Sequence, residues 1–168
     1  GQPRLPTASH GAEIDALAFA GDGRRIISGD LLWNLVHWDV ASGQARNSIA
    51  LKSDKSTVTH ACSADGRWSV SGQQDRIDVW DVESWQIVRA LRTGVIRGVA
   101  ISDDGTWVAA ARVPHDVDLW DRQTGQHRLL AGHTADISRV AFSPGGRRLA
   151  SADFGGSVKL WDAASGRE

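Results

Sequence analysis

The sequence contains no methionine, a single cysteine and almost no imbalance of charge. With Cys62 alone, no disulfide can form within the chain, which fits a reducing, cytoplasmic location. A formal net charge of -1 gives no broad electrostatic footprint for phosphates or anionic lipid, so neither nucleic acid nor a membrane is expected as a partner. No apolar run approaches the length of a membrane span or a signal-peptide core. Glycine-rich phosphate loops of the Gly-x-x-x-x-Gly-Lys type and His-Glu-x-x-His zinc patterns are missing too. The six histidines and the cysteine do not fall at ligand spacing, and the Asp-Gly turns lack the spaced oxygens of a calcium loop. No metal and no cofactor is therefore expected. Because the chain opens on Gly1 and lacks methionine, it is expected to be a processed, excised or engineered piece.

What the sequence does have is a repeat. Trp38-Asp39, Trp80-Asp81, Trp120-Asp121 and Trp161-Asp162 recur every 40 to 42 residues. A tight turn precedes each pair: Gly21-Asp22-Gly23, Ala64-Asp65-Gly66, Asp103-Asp104-Gly105 and Pro144-Gly145-Gly146. Short β-compatible runs flank these turns. In the first repeat they are Ile14 to Phe19, Arg25 to Ser28, Leu35 to Asp39 and Gln44 to Leu51. In the second they are Thr57 to Cys62, Trp68 to Ser71, Ile77 to Asp81 and Gln86 to Leu91. The third gives Val95 to Ile101, Trp107 to Ala111, Val117 to Asp121 and Gln126 to Leu130. The fourth gives Ile137 to Phe142, Arg148 to Ser151 and Val158 to Asp162, with no fourth strand before Glu168. Repeats of this length stack side by side, because one unit cannot bury its own apolar faces.

By these Trp-Asp pairs and turns the chain resembles the WD-repeat β-propeller family over nearly its whole length. The resemblance implies an all-β fold of four-stranded antiparallel blades, residues 1–168 forming one propeller segment with repeats at about 10–51, 52–91, 92–130 and 131–168. Closed propellers have about four to eight blades, so four repeats are expected to be half of a larger ring of about seven or eight. Residues 1–6 match the entry to the fourth strand of the third repeat and are expected to complete a last blade as an edge strand, where Pro3 and Pro6 are tolerated. That blade belongs to this chain, to a second copy or to a longer parent. An open half-ring would expose apolar faces, so self-association or a missing half is expected.

The resemblance also implies a buried network in each blade: a His before the first strand, a Ser or Thr on the second, the Trp of the third and an Asp in the turn between them. His10, Ser28 and Trp38 match in the first repeat, Ser71, Asp75 and Trp80 in the second, Trp120 alone in the third, and His133, Ser151 and Trp161 in the fourth. Leu32 and Gly155 stand where the acid is expected, Ser53 replaces one His, and Arg92, Ala110 and Pro114 fill the third repeat's places. Asp30 and Asp153, two residues beyond their serines, are expected to be solvated turn residues, the alternative being that they stand in as acceptors for the network. His60 and Cys62 invite a nucleophile reading, but His60 aligns with the core positions Leu17, Val99 and Val140. No catalytic residue is expected.

The function implied is a non-enzymatic module that docks a protein or peptide, of the kind appended as a sensor to bacterial multidomain signalling proteins. The alternative is a half-propeller that assembles with itself. Two docking surfaces are expected. One is a mixed-charge rim around Glu13, Asp15, Ser56, Arg97, Asp136 and Arg139. The other is an aromatic patch on the opposite face: Trp68, Trp85 and Trp107 occupy turn-adjacent places that hold arginine or glycine in the other repeats. Trp33 also lies outside the repeat motif.

Overall fold

The computed structural model describes residues 10–20, 23–30, 34–50, 59–73 and 75–168. The expected N-terminal strand at 1–6, together with Leu32, Trp33, Ser53 and Ser56, lies outside the described residues. Four antiparallel sheets follow one another along the chain. Blade 1 comprises β1 (Ile14–Phe19), β2 (Arg25–Asp30), β3 (Asn34–Asp39) and β4 (Gln44–Ala50). Blade 2 comprises β5 (Thr59–Cys62), β6 (Trp68–Gln73), β7 (Arg76–Asp81) and β8 (Gln86–Arg92). Blade 3 comprises β9 (Ile96–Ile101), β10 (Trp107–Arg112), β11 (Asp116–Asp121) and β12 (His127–Leu130). Blade 4 has three strands among the described residues: β13 (Ile137–Phe142), β14 (Arg148–Asp153) and β15 (Val158–Asp162). Within every sheet the strands lie in sequence order.

The turn after each third strand has one chemistry. The aspartate of each Trp-Asp pair accepts from the backbone N–H three residues on: Asp39 from Ser42 (2.9 Å), Asp81 from Ser84 (2.9 Å), Asp121 from Thr124 (2.7 Å) and Asp162 from Ser165 (2.7 Å). These bonds hold all four carboxyls below the usual range, Asp39 at about 2. The next residue closes the turn at positive φ, which glycine adopts freely, and Gly43, Gly125 and Gly166 supply it. In blade 2 the same place holds Trp85 at φ 56, in a conformation that costs a side-chain-bearing residue roughly 1–2 kcal/mol.

Blades pack face to face, with their first strands in succession, β1 on β5, β5 on β9 and β9 on β13. The forward face of blade 2 (Val70, Ile77, Val79 and Leu91) meets Val99, Ile101, Val108, Ala110 and Trp120 of blade 3. Blade 3 presents Val117, Leu119 and Leu130 to Val140, Leu149 and Trp161 of blade 4. Ile27 and Leu35 of blade 1 meet Trp80 and Val82 of blade 2. The two outermost faces carry the same residue types, and among the described residues no blade packs against them. Leu17 and Phe19 are 65% and 60% exposed where the aligned Val99 and Ile101 are 8% and 7%. On blade 4, Val158 and Leu160 are 69% and 51% exposed where Val117 and Leu119 are fully buried.

His60 sits on the blade 2 face turned toward blade 1, with both ring nitrogens out of contact with water. Burial pushes its pKa down to about 4, opposed by the Val70 backbone. Cys62, on the same face, has its thiol pushed up to about 11 by burial, so it is neither a thiolate nor served by a protonated neighbour. A histidine whose folded pKa is depressed binds fewer protons than in the unfolded chain. Its contribution to stability is therefore lost as pH falls from about 6.5 toward 4. Urea unfolding near pH 7 and pH 5 is expected to show a drop of about 2 kcal/mol from this group. His60→Leu, which restores the side chain of Leu17, is expected to flatten that part of the pH profile.

Candidate functional site

Ser28 and Trp38 face the same side of blade 1 because β2 and β3 alternate in phase, Trp38 lying opposite Ile26 and Ser28 opposite Val36. Trp38 Nε1 donates to Ser28 Oγ at 2.6 Å, and His10 joins Ser28 through Nε2 and Asp30 through Nδ1 (2.9 Å). Blade 4 repeats the arrangement: Trp161 Nε1 donates to Ser151 Oγ (2.8 Å), and His133 lies 2.7 Å from both Ser151 Oγ and Asp153. The Ser157 backbone N–H and His133 hold the Asp153 carboxyl below its ordinary range. It therefore accepts from His133 Nδ1, leaving Nε2 to accept from the serine hydroxyl.

Asp30 and Asp153 thus overturn the expectation that they are solvated. β2 and β14 run two residues further than the sequence suggests, and the two-residue period places each acid on the same side as its serine. Asp30 is fully buried and also accepts from the Asn34 backbone (2.9 Å). Asp75 stands outside the blade 2 network, half exposed and 3.6 Å from Arg92, because it sits in the turn beyond the end of β6. Ser71 accepts from Trp80 Nε1 (2.8 Å), and Gln73 holds the place that Asp30 holds in blade 1.

In blade 3 Trp120 stacks on His127, ring centres 5.1 Å apart. The polar centre has moved to Asp118, buried on β11, which accepts from Thr93 Oγ1 (2.6 Å) and meets His127 Nε2 (2.8 Å). Asp78 is its counterpart on β7, 2.6 Å from Arg76 Nε, with its carboxyl raised by burial against the pull of that arginine. Sequence reasoning passed over both acids. Their signal is a carboxylate two residues before the Trp of a Trp-Asp pair, on the same side of the strand.

Ser, His and Asp in hydrogen-bonded succession is the order of a hydrolase nucleophile. Here Ser151 is 1% exposed and its oxygen is already bonded to Trp161, so no substrate carbonyl can reach it. These groups join strands. Among the described residues no group of three His, Cys, Asp or Glu side chains could hold a metal ion, and no helix is long and apolar enough to cross a membrane. Ser151→Ala leaves a buried indole N–H and a buried imidazole without their shared partner, and is expected to cost about 1–3 kcal/mol in urea unfolding. Asp75→Ala is expected to stay within about 0.5 kcal/mol of the parent chain.

At the rim, Arg97 pairs with Asp136 (2.9 Å) and lies over Phe154, while His115 approaches the same carboxylate (3.4 Å). Glu13 is exposed, and Arg139 is exposed with its guanidinium on the Ser138 carbonyl. The side chain of Asp15 lies outside what is described. Much of this rim's charge is met from within.

The other end of the blades gathers the three tryptophans, each in a seam between neighbours. Trp68 has the guanidiniums of Arg67 and Arg122 4.9 and 3.7 Å from its ring centre and leans on Gly105, where a side chain would collide with it. Trp107 lies under Arg128. Both are half-buried. Trp85 packs on His37 at 5.3 Å and lines a cleft of about 580 Å³ between blades 1 and 2, with Arg24, Arg25, Arg46 and Arg67 around it.

Residues 125–162 match the family model described as WD domain, G-beta repeat. The chain belongs to the WD-repeat family. It is 30% identical over 132 residues to autophagy-related protein 16 of Arabidopsis thaliana, covering 76% of this chain and 26% of that protein. Against the small ribosomal subunit protein RACK1 of Glycine max the identity is 31% over 140 residues, covering 82% and 41%. The WD-repeat chain spans less than half the length of the curated relatives it matches. In structure it resembles a chain of Kuenenia stuttgartiensis hydrazine synthase with a TM-score of 0.78 over 97% of this chain and 51% of that one. At 19% identity that likeness concerns the fold alone.

Proposed function

We propose that this WD-repeat segment is a protein-interaction scaffold that docks a protein or peptide on the tryptophan-bearing end of its blades, without catalysis or cofactor. The observation that carries the reading is the placement of Trp68, Trp85 and Trp107 in three successive seams at one end, interleaved with arginines. Tryptophan and arginine are the residues that most often anchor interfaces. The rim with Arg97 and Arg139 at the opposite end is the lesser surface, its strongest charges being paired to each other. The lone free Cys62 and the arginine- and alanine-rich repeats support a cytoplasmic sensor segment of a bacterial signalling protein. Replacing Trp85 by Gly and Trp107 by Arg restores the residues of the other repeats. The double variant is expected to keep its melting temperature and lose most capture of partner protein in affinity pull-downs. Unchanged capture removes this end from consideration.

The uncovered end faces favour a second reading, in which two copies close head to tail. Val158 and Leu160 of one copy would meet Leu17 and Phe19 of the other, as Val117 and Leu119 meet blade 4 within the chain. Light scattering is expected to give a discrete dimer that Leu160→Asp converts to monomer. A monomer prone to precipitation would instead assign the missing blades to a longer protein.

A further inference from the structure

We propose that the cleft between blades 1 and 2 is a binding site for a short acidic peptide segment with an apolar residue, seated by Arg24, Arg25, Arg46 and Arg67 and walled by Trp85. The proposal rests on the reading that this end of the blades is the docking end, and names the chemistry it selects.

Among the described residues, four guanidiniums line the cleft beside two carboxylates, Asp39 and Glu83. Asp39 stays ionised, held at about 2 first by the Ser42 backbone, and forms a pair with Arg46 whose Nε stands 3.0 Å away. That pair fixes the Arg46 plane. Arg25 is anchored across the seam on the Asp65 carbonyl (3.0 Å), and Arg67 lies 3.9 Å from Asp81 with its plane near Trp68. Arg25, Arg46 and Arg67 therefore come from both blades and are oriented before any ligand arrives, which reduces the ordering cost of binding. Planar guanidiniums favour carboxylates through paired hydrogen bonds.

Size and walls select among anions. A volume of about 580 Å³ is that of a site for a ligand with several functional groups. Val82 and Trp85 add an apolar side that a phosphate ion would leave unsatisfied. Asp81 stands 3.9 Å from Arg67 at the edge of the cleft and would repel a long polyanion, so a short acidic stretch is favoured. Trp85 is itself the signal. It occupies a left-handed position that glycine fills in blades 1, 3 and 4, and strain of this kind persists at binding sites.

The test is fluorescence anisotropy on the whole chain with a fluorescein-labelled Glu-Glu-Leu-Glu-Glu peptide, and with the same peptide carrying Gln for Glu. The acidic peptide is expected to bind about tenfold or more tightly than the neutral one, and more weakly as salt rises. Arg67→Glu, Arg24→Glu and Trp85→Gly are each expected to weaken it at least fivefold, with unfolding midpoints near the parent value. Trp85→Gly relaxes its backbone, so it keeps the test readable if an arginine variant fails to fold. Leu129→Ser, at an exposed position of blade 3 away from the cleft, is expected to leave peptide affinity unchanged. Equal affinity for the two peptides, indifference to Trp85→Gly and Arg24→Glu, or displacement by inorganic phosphate alone would each overturn the proposal. If the peptide ignores the cleft variants while partner capture still falls with Trp107→Arg, the docking end stands and this cleft is not its acidic-peptide site.

Discussion

Each blade is held by the apolar face of the next. A four-stranded sheet this small has two apolar sides, and among the described residues no helix covers either, so stacking is the way it leaves water. The effect is visible in residues that differ only in position. Val117 and Leu119 are fully buried on blade 3, and Val158 and Leu160, their equivalents on blade 4, are mostly exposed. At roughly 1.5–3 kcal/mol for each fully buried aliphatic side chain, an end face is a large unrealised stabilisation. It gives the segment a direction, because one end offers Leu17 and Phe19 and the other offers Val158 and Leu160.

The polar networks follow the same logic from within. His10 and His133 precede β1 and β13 and are bonded to the ends of β2 and β14, so each network ties the loop entering a blade to that blade's second and third strands. The complete Trp–Ser–His–Asp series occurs in blades 1 and 4, the two with an uncovered face. Blades 2 and 3 are flanked on both sides by packed neighbours and carry buried Asp78 and Asp118 on their third strands instead. Packing from two sides constrains the middle blades, whereas an end blade depends more on bonds inside its own sheet.

The strands were legible because their signals are local: Asp-Gly turns, Trp-Asp pairs and apolar runs between them. Asp30 and Asp153 were visible as possible acceptors but ranked below the solvated reading, because β2 and β14 continue for two more residues than the sequence suggests and carry them into the interior. Strand ends are set by pairing with a neighbour, and pairing is not written in one strand. The cover over the tryptophans was illegible for a related reason. Arg122 reaches Trp68 from the next blade, and Arg128 likewise crosses from the end of blade 3 to the Ala163 carbonyl of blade 4. Contacts between residues so far apart in sequence exist only once the blades are stacked.

The seams are chemically alike, and their difference lies in how the tryptophan arrives. Trp68 and Trp107 open a second strand, in extended backbone, and are laid flat beneath an arginine of the same or the following blade. Trp85 arrives through a turn whose geometry suits glycine, and its ring meets His37 of the preceding blade at a tilt of 57°. Beside this ring lies the cleft, lined by arginines of both blades. The departure from the repeat and the backbone strain therefore have a single origin in one substituted turn residue, whose ring forms a wall of the cleft.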